Sequence, residues 1–368
     1  MKVKVLRDAL LEGLKAAIPA VDKSDKSLAI LQSVRLSQDG DCLKVEGCTI
    51  DQCSRMKVRC EAIEAAEPVA VNAYTLMRFI KSMDNGELEI EKRKETLSIE
   101  SERVRFSLHL TDVRLWPEFQ WPEVKTAIEI DSAALQELIK KTKFAMLTDG
   151  TRSDWMGIRL ELKGETLEAQ ATNGAMAAIA RYTIPGGTQT GGVTVPMVAV
   201  EAMEAILKSQ EGTVKLGFDG DRIMMASAGE EVWRWGSRLL KDSWPNLMRV
   251  IPTERQNVAK VGREELKTAL NRVMLATPTD APSITLQAGE GEIRLSATSD
   301  AANAKELVAC KYDGEPVKLA AHPMKIKPFL ECTDLDYVEL GLFDGTRVVT
   351  VEIPGLDYIG VFLPHRSK

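Results

Sequence analysis

The sequence predicts an α+β fold of three repeated domains, each with two helices packed on β-sheets. Three observations carry this expectation. One order of strands and helices runs three times along the chain. Apolar residues in each copy recur at helical spacing. Short alternating runs flank tight turns, as hairpins require.

The elements follow in order. VKVLRDALLEGLKAAIPAV, IEIDSAALQELIKKTKFAM and AKVGREELKTALNRVMLA each read as a strand followed by an amphipathic helix. Leu10, Leu14 and Ile18 share a face in the first; Leu135, Leu138, Ile139 and Thr142 in the second; Leu266, Leu270, Val273 and Met274 in the third. Next come hairpins with a glycine in the turn, SVRLSQDGDCLKVEG, GIRLELKGETLEAQATNG and SITLQAGEGEIRLSATS. A second strand and helix follow in VAVNAYTLMRFIKSMD, VTVPMVAVEAMEAILKS and VKLAAHPMKIKPFLECT, the last kept short by Pro323 and Pro328. A closing hairpin ends each copy, and the helices are expected to pack on the sheets as a second layer. This predicts domains over 1–122, 123–250 and 251–368.

The boundary segment WPNLMRVIP (244–252) is unusual, because its prolines exclude a central strand or helix, yet it is too apolar for an ordinary connector. At 368 residues, 44 % apolar and 28 % charged, the chain has the composition of a soluble globular protein. No apolar run approaches the ~18 residues of a membrane span. The N-terminus reads as strand and helix, not as a signal peptide, which predicts a cytoplasmic protein. Cysteines 42, 48, 53, 60, 310 and 332 form no CxxC pair, and His109, His322 and His365 lie far from the first cluster. Reduced, packed thiols and no metal site are therefore expected. No Gly-rich phosphate loop, HExxH or nucleophile elbow appears, so neither enzyme chemistry nor a cofactor is expected. A net charge of −6 argues against coating DNA by bulk charge but leaves a confined basic surface open.

The threefold pattern, with SLAIL (27–31), RFSL (105–108), QATNG (170–174), WPNLMRVIP and VFLPHR (361–366) in order and register, resembles the bacterial DNA polymerase beta sliding clamp over the whole chain. The resemblance implies a head-to-tail homodimer closing into a ring around duplex DNA. Helices would line the hole, and the ring would tether a polymerase without sequence preference. A heterologous contact that closes gives such a ring. Phe106, Met274 and Leu275 match the family's dimer contact positions. Lys23, Lys26, Arg78, Lys81, Gln136, Lys140, Lys143, Arg263 and Lys267 would face the DNA.

The resemblance also implies an apolar cleft that takes peptides of the polymerase, clamp loader and other partners. Trp155, Thr172, Gly174, Ala175, Met176, Ala177, Pro245, Arg249, Val250, Thr346, Leu363, Pro364, His365 and Arg366 fall on it, with Trp244 assigned to packing beneath. This chain departs from the family pattern in several places. Ala175, Met176 and Ala177 replace His-Arg-Leu, and the C-terminus reads LPHRSK. Met197, Val198, Glu201 and Glu204 thin the basic lining. These departures leave an alternative, a clamp paralogue acting as a drug-binding spare copy or as a decoy for replication partners.

Overall fold

The computed structural model describes the chain except residues 25, 27, 65–66, 125–126, 151, 242, 253, 345 and 366–368, so Arg366 lies outside the described residues. The first copy runs β1 (Lys2–Leu6), α1 (Arg7–Ala17), β2 (Ser33–Asp39), β3 (Cys42–Cys48), β4 (Gln52–Glu64) and β5 (Val69–Asn72). It ends with α2 (Ala73–Ser82), β6 (Glu87–Arg93), β7 (Thr96–Glu100) and β8 (Arg105–Thr111). The second runs β9 (Ile128–Asp131), α3 (Ser132–Thr142), β10 (Gly157–Lys163), β11 (Thr166–Thr172), β12 (Met176–Thr183) and β13 (Thr190–Pro196). It ends with α4 (Met197–Leu207), β14 (Thr213–Asp219), β15 (Arg222–Ser227) and β16 (Trp233–Arg238). The third runs β17 (Val258–Gly262), α5 (Arg263–Met274), β18 (Ile284–Gly289), β19 (Glu292–Thr298), β20 (Asn303–Asp313) and β21 (Val317–Ala321). It ends with α6 (Lys327–Glu331), β22 (Tyr337–Gly341), β23 (Val349–Glu352) and β24 (Tyr358–Phe362).

These elements form two compact units. The first unit, residues 1–136 with 195–241, holds a sheet ordered β1-β6-β7-β8-β5-β2-β3-β4-β16-β15-β14-β9. β4 is long enough to serve two neighbours along one edge. Gln52–Met56 pair with β16, and Cys60–Glu64 pair with β1. Helix α1 buries Leu10 and Leu14 on β3 and β4, and Gly13 lets it come close. A Cβ there would stand 2.7 Å from a Val58 methyl. Asn72 caps α2 by accepting the Thr75 N–H at 2.9 Å, which directs Leu76 and Ile80 into the same core.

The second unit, residues 137–194 with 242–368, holds a sheet ordered β13-β10-β11-β12-β24-β23-β22-β17-β20-β19-β18-β21. β12 and β24 meet antiparallel, with Met176 opposite Phe362 and Ala180 opposite Tyr358. The apolar stripe of α5, Leu266, Ala269, Leu270 and Val273, is buried. α6 has five residues, as the prolines require, and still buries Phe329 and Leu330. Among the described residues no helix is long and apolar enough to cross a membrane.

One expectation from the sequence is corrected here. Cys48 and Cys53 are joined as a disulfide, not left as packed thiols. They end a four-residue turn and stand directly opposite in the β3–β4 register, which brings their Cα atoms to 4.1 Å. Glu46 lies beside them, but sulfurs bonded to each other offer no thiolate to a metal. Cys42, Cys60, Cys310 and Cys332 are free.

Candidate partner-binding cleft

The cleft residues within the second unit come from three stretches. The first is the turn from β11 into β12. Thr172 Oγ donates to the Met176 carbonyl at 2.8 Å and accepts from the Gly174 N–H at 3.1 Å. Asn173 Oδ1 accepts the Ala175 and Met176 N–H groups at 3.0 and 2.8 Å. Gly174 has φ +83°, which favours glycine, and a Cβ there would lie 3.5 Å from the Trp155 ring. Trp155 thus lies against the turn, with the Arg152 guanidinium 4.2 Å over its ring.

The second stretch is the Trp-Pro connector. Trp244 donates its indole N–H to Gln170 Oε1 at 2.8 Å and packs against the buried cluster of Ala177, Ile179, Leu247, Ile251 and Val361. Asn246 caps a short 3-10 turn, Leu247–Arg249, by accepting the Met248 N–H at 3.1 Å. The turn sends Leu247 and Ile251 inward and leaves Met248, Arg249 and Val250 outside, with Met248 53 % and Val250 51 % exposed. Pro245 is half-buried at its start. A ridge of two apolar side chains around Arg249 therefore stands over an apolar floor of Leu247 and Ile251.

The third stretch follows β24. The Leu363 N–H donates to the Ala175 carbonyl at 2.9 Å, and Lys325 Nζ donates to the Leu363 carbonyl at 2.9 Å. His365 N–H reaches the Ala320 carbonyl at 2.7 Å, and its Nδ1 lies 3.1 Å from Ser283 Oγ. Leu363 keeps 43 % of its surface exposed, and Pro364 is half-buried. Burial first, then Lys325 and His322, hold the His365 imidazolium below its ordinary range. Lys325 is also lowered by burial.

The fold brings together Trp155, Thr172–Ala177, the connector and Leu363–His365. Thr346 is exposed, and its hydroxyl donates to Asp344 at 2.8 Å. Sequence reasoning missed Leu247, Ile251, Val348 and Lys325. The first two were legible in principle as an i, i+4 apolar pair in WPNLMRVIP.

The residues expected to face DNA divide. Lys23, Lys26, Arg78 and Lys81 are exposed. Lys267 lies 3.4 Å from Glu264, Lys143 is half-buried, and Lys140 forms a 3.0 Å ion pair with Asp334. Gln136 donates to the Leu207 carbonyl at 2.8 Å. Arg263 is corrected: it is 8 % exposed, and its guanidinium donates to the Leu335 and Leu330 carbonyls at 2.8 and 3.0 Å, so it is a structural residue of α5. Of the expected dimer residues, Phe106 stacks on Phe79 at 4.2 Å, Met274 is half-buried and Leu275 is 86 % exposed.

Residues 129–246 match the family model for the DNA polymerase III beta subunit, central domain, and residues 248–364 match that for its C-terminal domain. The chain is 25 % identical to the beta sliding clamp of Pseudomonas putida, covering 97 % of each. It is 27 % identical to that of Caulobacter vibrioides, covering 87 % of each. Its fold is similar to the crystal structure of the DNA polymerase III beta subunit from Thermotoga maritima, with a TM-score of 0.94 over all of both chains at 21 % identity. The chain belongs to the DNA polymerase III beta subunit family, the beta sliding clamps, which are processivity factors and not enzymes.

Proposed function

We propose that this protein is a cytoplasmic sliding clamp. Two chains would close head to tail around duplex DNA and tether the replicative polymerase, recruiting it and the clamp loader through the cleft described above. In this reading residues 1–122, 123–250 and 251–368 are its three clamp domains. The observation that carries the cleft is the direct Leu363–Ala175 hydrogen bond, which joins two of its stretches, with the apolar Met248, Val250 and Leu363 side chains left exposed as a peptide-docking surface needs. A sequence-blind ring needs weak phosphate contact, since many tight contacts would hold it in place. The exposed Lys23, Lys26, Arg78 and Lys81 are consistent with that.

The strand register supports the dimer. Cys53 faces Gly236 where β4 meets β16, and Ala177 faces Val361 where β12 meets β24. Asn303 holds the equivalent position in the third copy, five residues beyond its partner Thr298 as Cys53 is from Cys48. Ser107 is the counterpart of Gly236, because Ile99 faces Phe106 as Met225 faces Trp235. Among the described residues, Asn303–Ala309 and Arg105–His109 each lack a partner strand on one edge. A second chain would join them, with Ser107 opposite Asn303 and Phe106 beside Ala304. Changing Phe106 to Asp is expected to give folded monomers in sedimentation equilibrium, because a charge would be buried unpaired in that contact. A variant that stays dimeric would place the interface elsewhere.

A second reading is favoured by one feature, the thin basic surface. Arg263 is buried, Lys140 is paired, and α4 exposes Val198 and Glu201. A paralogue that binds replication partners without holding DNA would have this character.

A further inference from the structure

The repeat register points to a second place built like the cleft, inside the first unit. Thr172 faces Ala177 as Cys48 faces Cys53, so Thr49, Asp51 and Gln52 stand where Asn173, Ala175 and Met176 stand in the cleft turn. Gln52 pairs with Ser237 as Met176 pairs with Phe362. Arg238, Leu239 and Leu240 therefore take the places of Leu363, Pro364 and His365. These first-unit residues wall a cavity of about 910 Å³, closed by the Ile18–Ser24 segment, Tyr74 and one face of α4. Its size is at the upper end of the range for ligand sites.

We infer that this cavity is a second peptide-docking site, taking a short extended partner segment with aliphatic anchors and a basic side chain. The inference rests on the reading of Thr172–Ala177 and Leu363–His365 as a peptide cleft. Three features select that occupant. Gln52 lines the cavity and is 5 % exposed, and among the described residues its buried Oε1 has no hydrogen-bond partner. An extended backbone supplies the N–H group this oxygen needs, whereas an uncapped buried acceptor is costly. Val198 (60 % exposed), Glu201 and Ala205 follow one another along the lining face of α4, giving an aliphatic stripe with an acid in it. The lining acids are Asp22, Asp51 and Glu201 against Lys23 and Arg238, and Arg238 lies 3.5 Å from Asp51. That balance attracts a basic side chain and repels a phosphate backbone.

The test is isothermal titration of the full chain with the peptide Ac-Leu-Leu-Lys-Leu-Phe-NH2 and with its Lys-to-Glu version. Two binding events per chain are expected with the lysine peptide. Val198→Lys should weaken one of them by about tenfold, because it adds a cation at an exposed lining position. Ala205→Trp, also at an exposed position, should weaken the same event by filling the space. The glutamate peptide should lose affinity for that event only. Deleting residues 364–368 should remove the other event. If the deletion leaves both events while Val198→Lys still removes one, the cavity stands and the C-terminal cleft reading fails. A single event, abolished by the deletion and untouched by Val198→Lys and Ala205→Trp, would overturn the inference. So would a short DNA duplex that competes with the peptide and binds more tightly to the Val198→Lys protein.

Discussion

The β4–β16 junction in the first unit and the β12–β24 junction in the second share a strand register but are covered differently. At β4–β16 the connector is aromatic and clamped by arginines. Arg55 and Arg234 lie 5.3 and 3.9 Å over Trp121, Arg35 lies 5.1 Å over Trp116, and Phe119 packs against Gly236, where a Cβ would come within 3.1 Å of its ring. At β12–β24 the connector buries Leu247 and Ile251 and turns Met248 and Val250 outward. The two junctions also differ at one equivalent residue pair. Glu46 and Gln170 hold equivalent positions, opposite Arg35 and Arg159. The carboxylate of Glu46 takes Arg35 through two 3.0 Å contacts, and among the described residues the Trp116 indole N–H has no acceptor. The neutral Gln170 instead gives its oxygen to Trp244. The same register thus carries two covers: arginines stacked on tryptophans beside a paired carboxylate in one, and an indole held by a neutral amide with Met248 and Val250 left exposed in the other.

The largest expected effect breaks the second junction outright. Leu247→Asp places an unpaired charge in the cluster beneath the ridge and should cost about 3–5 kcal/mol in denaturant unfolding. Peptide binding at the cleft should go with it. A smaller change sharpens the comparison. Trp244→Phe leaves the Gln170 oxygen unsatisfied, and it should cost about 1–2 kcal/mol more than Trp116→Phe, whose indole N–H had no acceptor to lose. Equal costs would mean that the Gln170 bond does not hold the connector.

The smallest effect is a pH dependence at the C-terminal stretch, for which the first junction has no titrating counterpart, since Leu240 stands where His365 does. The folded protein disfavours charged His365, so the unfolded chain takes the proton first. Its contribution to stability is therefore fully present above the ordinary histidine pKa of about 6.5 and is lost as pH falls through that value towards the folded one. A proton NMR titration should put the His365 midpoint below that of an exposed histidine. A midpoint at or above it would show that the ring is not held as described.

Much of this was legible in the sequence. The threefold order, the helix stripes and the short α6 follow from periodicity and proline placement, which are local properties. The three stretches of the candidate cleft were each marked by a short signature, and the fold brings them together. What could not be read depends on partners distant along the chain. Arg263 looked like a solvated helix residue because the carbonyls that take its guanidinium, at Leu330 and Leu335, come some seventy residues later. In WPNLMRVIP the apolar residues were plain, but their sorting into floor and ridge needed the Asn246 cap and the β24 surface. The Cys48–Cys53 pairing was within reach, because cysteines five apart across a tight turn stand opposite in a hairpin register.

The central claim is that the protein holds DNA by encircling it. The direct measurement is retention of loaded protein on a nicked circular duplex, before and after one cut that makes the circle linear. Loaded protein is expected to stay on the circle at high salt and to leave the linear form through its ends, with the Phe106→Asp monomer retained on neither. Equal retention on circle and line, falling with salt in both, would mean that charge contacts and not topology hold the DNA.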